Sequence, residues 1–80
     1  MTLEILTPEK KFFSGEVESI LFPGTDGKFE ILKGHAPLIS SLKSGEIRVR
    51  QNSKDSIITI KSGFVEVMND KVNVMVEGAQ

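Results

Sequence analysis

The stretch "KVNVMVE", residues 71–77, carries a valine at every second position. Successive side chains of an extended strand point to opposite faces, so this alternation suits a ribbon with one buried side and one wet side, and suits no helix. The beat recurs along the chain. Leu3 and Ile5 flank Glu4, Phe29 and Ile31 interleave with Lys28 and Glu30, Ile47 and Val49 stand among Glu46, Arg48 and Arg50, and Val65 and Val67 enclose Glu66. Turn-forming clusters separate these runs: "PEKK", "PGTDG", "KGHAP", "NSKD", Ser62-Gly63 and Asn69-Asp70. Pro presets φ, Gly supplies positive φ, and Asn and Asp tolerate the left-handed region, so each cluster marks a reversal. No segment keeps a 3.6-residue apolar period over the ~10–12 residues that a helix needs.

The runs predict strands over 2–7, 12–22 (two strands in series, or one bent at a bulge, with the interruption at Ser14-Gly15), 28–32, 45–51, 56–61, 64–68 and 71–77, with a brief apolar segment at 38–42. Composition agrees, because Val and Ile supply 15 of the 80 residues and Ala only two. β-branched side chains lose rotamer freedom in helices and pack well on a pleated surface. The expected architecture is all-β, a two-sheet β-sandwich of about eight to ten short strands forming a single domain over residues 1–80. A chain of this length buries only about 60% of its unfolded surface, so a permanent partner would add to a modest intrinsic stability.

Several function classes lose support at once. There are no cysteines, which removes disulfides and thiolate metal sites. The net charge of −1 offers no footprint for nucleic acid, and the five Phe, unaccompanied by Tyr or Trp, do not interleave with basic residues as a base-stacking platform requires. No apolar run approaches the ~18 residues of a membrane span, and no charged-then-apolar leader is present, so direct membrane insertion is not expected. Scattered carboxylates and one histidine give no metal-ligand spacing, and no cofactor is expected.

Catalytic constellations are equally thin. Asp26, His35, Ser40 and Ser41 can be strung into a hydrolase triad on paper, but no nucleophile elbow accompanies them. "GTDGK" lacks both the length of a phosphate-binding loop and the Ser or Thr after its lysine. Glu16 and Glu18 lie two apart, as on one face of a strand, where solvation is the ordinary role. What remains is surface. If Val72, Val74 and Val76 face inward, Met75 faces outward. If Val65 and Val67 face inward, Phe64 and Met68 face outward. Outward apolar residues on successive strands of one sheet make a patch, and such patches mark partner sites unless another element covers them.

The ordered set "TPE", "FSGEV", "PGTDG", "GHAPL" and "SGFVEV" resembles the epsilon-subunit family of the rotary proton-driven ATP synthases of bacteria and chloroplasts. The likeness is to the N-terminal β-sandwich domain and covers nearly the whole chain. It implies a non-catalytic rotor subunit at the foot of the gamma subunit, resting on the polar loops of the membrane c-ring, peripheral at the cytoplasmic face of a bacterial inner membrane, with the chloroplast thylakoid equivalent as the alternative. By position, Ile39, Phe64 and Met75 are expected at the gamma contact, and Lys28, Glu30 and His35 at the c-ring contact. Alternation independently selects Phe64 and Met75. For His35 a second role stays open, in which its ring only bonds a carbonyl of its own turn.

This chain departs from the family pattern at Lys28, where many members carry an acid, at Glu30, often glycine, and at Lys33, often proline. The resemblance also implies that typical bacterial members continue into a helical hairpin that restrains hydrolysis; if Gln80 is the natural terminus that brake is expected to be missing, and if the chain continues past Gln80 this domain reads the same. A free-standing β-sandwich module for a small ligand is the alternative function, and it predicts an aromatic-lined pocket.

Overall fold

The computed structural model describes residues Met1–Gln80. It contains nine strands and no helix: β1 (Thr2–Leu6), β2 (Lys11–Glu16), β3 (Ser19–Gly24), β4 (Gly27–Leu32), β5 (Leu38–Leu42), β6 (Gly45–Gln51), β7 (Lys54–Ile60), β8 (Ser62–Met68) and β9 (Lys71–Glu77). Two groups of strands are stitched along their lengths, β2-β1-β9-β8-β5 and β4-β3-β6-β7, and they join through a single bridge between Gly24 of β3 and Leu42 of β5. Side chains from the two groups meet in one core. Leu3, Ile5, Val65, Val67, Val72 and Val74 come from the first sheet, and Ile20, Phe22, Ile31, Ile47, Val49, Ile58 and Ile60 from the second. The chain is therefore a sandwich made by curling one ribbon over itself, and no buried residue is polar or charged.

Register explains why each strand lies where it does. β1 enters between β2 and β9 and runs parallel to β9, pairing Leu3 with Val72 and Ile5 with Val74. β8 runs antiparallel to β9 and pairs Val65 with Val74 and Val67 with Val72. A slip of one residue in either ladder would turn every one of these apolar side chains to solvent. Two hairpins turn on two-residue loops with positive φ, Asn52-Ser53 (53° and 62°) and Asn69-Asp70 (52° and 60°), whose twist matches that of the flanking strands. Ser53 is an unusual residue for this conformation; its amide donates to Glu18 Oε1 at 2.7 Å, which holds the turn. Glu18 is thus a structural brace, and Glu16 and Glu18 form no pair of catalytic carboxylates.

Two local expectations need correction. The interruption assigned to Ser14-Gly15 falls instead at Val17-Glu18, and both Ser14 and Gly15 are paired within β2, opposite Glu4 and Leu3. The crossover from one sheet to the other happens where Val17 buries its side chain in the core and donates its amide to Met1 O at 2.9 Å. The irregularity in this ladder lies between Ile5 and Leu6. Secondly, "PGTDG" is not a turn throughout. Pro23 and Gly24 continue β3, and only Thr25-Asp26 reverse the chain.

Gly63 has a structural duty that alternation alone does not reveal. A Cβ there would stand 2.5 Å from Met75 O and 2.9 Å from Val76 Cγ1, so β8 and β9 approach as closely as they do only because this side chain is absent. Gly63→Ala is expected to cost about 1–3 kcal/mol through overpacking, read as a lowered urea midpoint with an unchanged slope.

Candidate functional site

The outer face of β1, β9, β8 and β5 carries the apolar patch. Leu6 pairs with Met75, Met75 with Phe64, and Phe64 with Ser41, so three apolar side chains stand in one cross-strand row. The next row runs Glu4, Asn73, Glu66 and Ile39, which sets Ile39 diagonally beside Phe64, within reach of a large side chain. Exposure is 48% for Phe64, 43% for Met75 and 73% for Ile39, so the second sheet does not cover them. Met68, two residues beyond Glu66 on the same face, is 51% exposed and extends the patch. Leu6 was not singled out from the sequence, because Pro8 and the lysines after it obscure where the alternation of β1 ends.

His35 and Lys28 share a shallow depression with residues of the β3–β4 hairpin and of β5, among them Asp26, Gly27, Phe29 and Ser40. The imidazole Nδ1 lies 2.7 Å from Ala36 O; a carbonyl only accepts, so Nδ1 carries the proton and Nε2 is left for other partners. The self-bonding role considered for His35 is therefore real, and it does not consume the second nitrogen. Ser40 Oγ donates to Ser41 O at 3.1 Å and makes no bond to His35 or Asp26. The paper triad is thus gathered loosely in space, without the nucleophile–base hydrogen bond that acyl transfer needs.

Glu30 is separated from His35. It projects from β4 on the same outer face as Lys28, pairing across to Leu21, and it lines a second depression with Arg48, Arg50 and Asp55. The three residues expected at one contact therefore divide between two surfaces, with Lys28 at the boundary.

The loop bearing His35 is held by a residue that sequence reading treated only as a turn former. Asp70 Oδ1 accepts the amide of Gly34 at 2.8 Å, and Asp70 O accepts the amide of Thr2 at 3.0 Å. Gly34 takes φ of 82°, so the loop reverses there and presents its amide to the carboxylate. Asp70→Gly keeps the positive φ at low cost while deleting the acceptor. The expected result is about tenfold faster hydrogen exchange at the Gly34 amide, from loss of one charge-assisted bond, with the amides of β8 and β9 unchanged.

The sequence model of the ATP synthase delta/epsilon chain β-sandwich domain matches residues 1–80. The chain belongs to this family. The ATP synthase epsilon chain of Chlorobium limicola is 49% identical over 76 residues, an alignment that covers 94% of this chain and 86% of that one. The epsilon chain of Desulforamulus reducens is 42% identical over 78 residues, covering 98% of this chain but 59% of that one. Epsilon relatives thus differ in how much lies outside the matched region. Among solved structures, a chain of the Euglena gracilis mitochondrial ATP synthase assembly with its c-ring superimposes with a TM-score of 0.91 over 98% of this chain and 51% of that one, at 22% identity. That likeness shows the fold. As an epsilon-family chain, the protein is a non-catalytic component of a membrane-associated synthase complex.

Proposed function

We propose that this epsilon-family chain is a rotor subunit that links the gamma subunit of a bacterial ATP synthase to the membrane c-ring, so that rotation is coupled to ATP synthesis. The observation that carries the proposal is the row of half-buried Leu6 with exposed Met75 and Phe64, and exposed Ile39 beside it, on a sheet whose inner face is already satisfied by the core. Because these side chains stand on a hydrogen-bonded ladder, a partner closing over them orders side-chain rotamers but no backbone, which makes the face suited to a permanent axle contact. Glu66 and Asn73 interrupt the patch, so it also keeps polar groups able to fix the register of the partner.

The flank around His35 then meets the polar loops of the c-ring. The free Nε2 and the exposed Lys28 provide hydrogen-bonding groups of the kind that loop backbone and side chains complement. The chain is peripheral at the cytoplasmic face of the membrane and is held there by the other subunits, with no insertion of its own. No helix in the structure is long and apolar enough to cross a bilayer.

Co-expression with the gamma subunit of the same organism tests the axle contact. A stable one-to-one complex through size-exclusion chromatography is expected. Separate elution of the two chains at micromolar concentration would defeat the proposal.

A further inference from the structure

The β3–β4 hairpin and the turn between β5 and β6 enclose a cleft that the His35 flank does not explain. It is lined by Leu21, Pro23, Lys28, Lys43, Glu46 and Arg48, with Ile57 at its far side. Three cations face one carboxylate, and none of Lys28, Lys43 and Arg48 takes part in any of the three ion pairs of the molecule, which are Met1–Glu16, Lys11–Glu4 and Arg50–Asp55. We propose that this cleft receives a carboxylate side chain from the partner that meets the His35 flank, with Lys43 and Arg48 as its specificity-determining residues. The inference rests on the c-ring reading of that flank, and it adds the chemistry the ring must present.

Position supports continuity between the two surfaces. Lys28 lines both this cleft and the His35 depression, so a partner loop crossing the tip of the hairpin reaches both. The cleft is also rigid where the cations enter it. Thr25 N donates to Ser41 O at 3.1 Å and Lys43 N to Pro23 O at 2.9 Å, which fixes the β5–β6 turn against the hairpin. Gly45 lets β6 begin close to Pro23, since a Cβ there would lie 3.0 Å from Pro23 Cβ. Pro23 is buried and backs the cleft, while Lys28, Lys43 and Arg48 are exposed, so a carboxylate entering it meets cations whose attraction is felt at low salt and screened at high salt.

The same geometry selects the kind of anion. A guanidinium presents a planar fork that matches a carboxylate, and the lysine ammonium adds a point charge that needs no particular orientation. Glu46 lies in the cleft, and Glu30 lies beside Arg48 in the adjoining depression. Both oppose a multiply charged ligand more strongly than a single carboxylate, and the chain as a whole has a net charge of −1. A lone acidic side chain from a partner loop therefore fits better than a phosphate or a polyanion.

The test measures binding of the complex of this chain with gamma to the detergent-purified c-ring, using wild type, Lys43→Glu, Arg48→Glu and His35→Ala. Each glutamate variant is expected to weaken ring binding by about tenfold at low salt, with the difference shrinking at high salt because rim charges are screened. Arg48→Lys should lose less than Arg48→Glu. If both glutamate variants bind as wild type while His35→Ala weakens binding, the cleft proposal is overturned and the ring reading survives. If all the variants bind as wild type, both are overturned. Saturable binding of inorganic phosphate at Arg48, seen by NMR of the free chain alongside unchanged ring affinity, would identify a free-anion site and also overturn the proposal. The variants lie on the outer face or in a turn, and matching urea midpoints will show that each is folded.

Discussion

Phe22→Ala should leave the isolated domain largely unfolded. Phe22 is fully buried, and its ring stacks on Phe29 with centroids 5.4 Å apart. It stands on the strand that belongs to both layers, since β3 pairs with β4 and β6 and then bridges to β5 beside Gly24. Truncating a buried phenylalanine costs about 3–5 kcal/mol, because the transfer energy is lost and the surrounding wall relaxes only in part. The aromatic pair contributes about 0.5–1.5 kcal/mol beyond area. At about 0.05–0.15 kcal/mol per residue, a chain of 80 residues has only about 4–12 kcal/mol to lose. Urea unfolding followed by circular dichroism will measure this. Phe22→Leu, which keeps most of the volume, should retain a cooperative transition, and a cooperative transition of near wild-type midpoint in Phe22→Ala would show that the two layers do not depend on this residue.

Phe64→Thr should behave in the opposite way, with folding preserved and binding lost. Threonine is β-branched and suits a strand, and position 64 faces solvent on a ladder whose inward neighbours, Val65 and Gly63, are untouched. The stability change should stay within about 0.5 kcal/mol, as for an ordinary surface substitution. Affinity for gamma should fall by about 2 kcal/mol or more, the scale of an aromatic hot spot at the centre of an interface, which is about 30-fold in Kd. Isothermal titration of purified gamma with each variant reads both the affinity and the heat-capacity change. The latter should become less negative as apolar area is withdrawn from the contact.

The inner faces were largely legible in the sequence because side-chain direction along a strand depends on position alone. Val72, Val74 and Val76 are buried, and Met75 between them is exposed, as the alternation predicts. The Asn69-Asp70 reversal was legible for the same local reason, since both residues tolerate positive φ. Pairing between distant strands was not legible. Nothing in "TLEIL" says that β1 will lie parallel to β9, because that partnership is chosen by the fit of two apolar faces almost 70 residues apart. The bond from Gly34 to Asp70 and the brace from Ser53 to Glu18 are similarly non-local, and each joins a backbone amide to a carboxylate that reads as a solvated charge in the sequence. The division of Lys28, Glu30 and His35 between two depressions follows from the curl of the sheet. Lys28 and Glu30 share a strand face, but His35 reaches Lys28 only around the β4 edge.

NMR of the chain labelled at its methionine and isoleucine methyl groups, with unlabelled gamma added in steps, probes the docking face most directly. Signals of Met75, Met68 and Ile39 should shift or broaden in proportion to complex formed, while Ile57, exposed on the outer face of the other sheet, stays in place. Perturbation at Ile57 with Met75 and Ile39 unmoved would contradict the assignment of the gamma contact to the β1-β9-β8-β5 face.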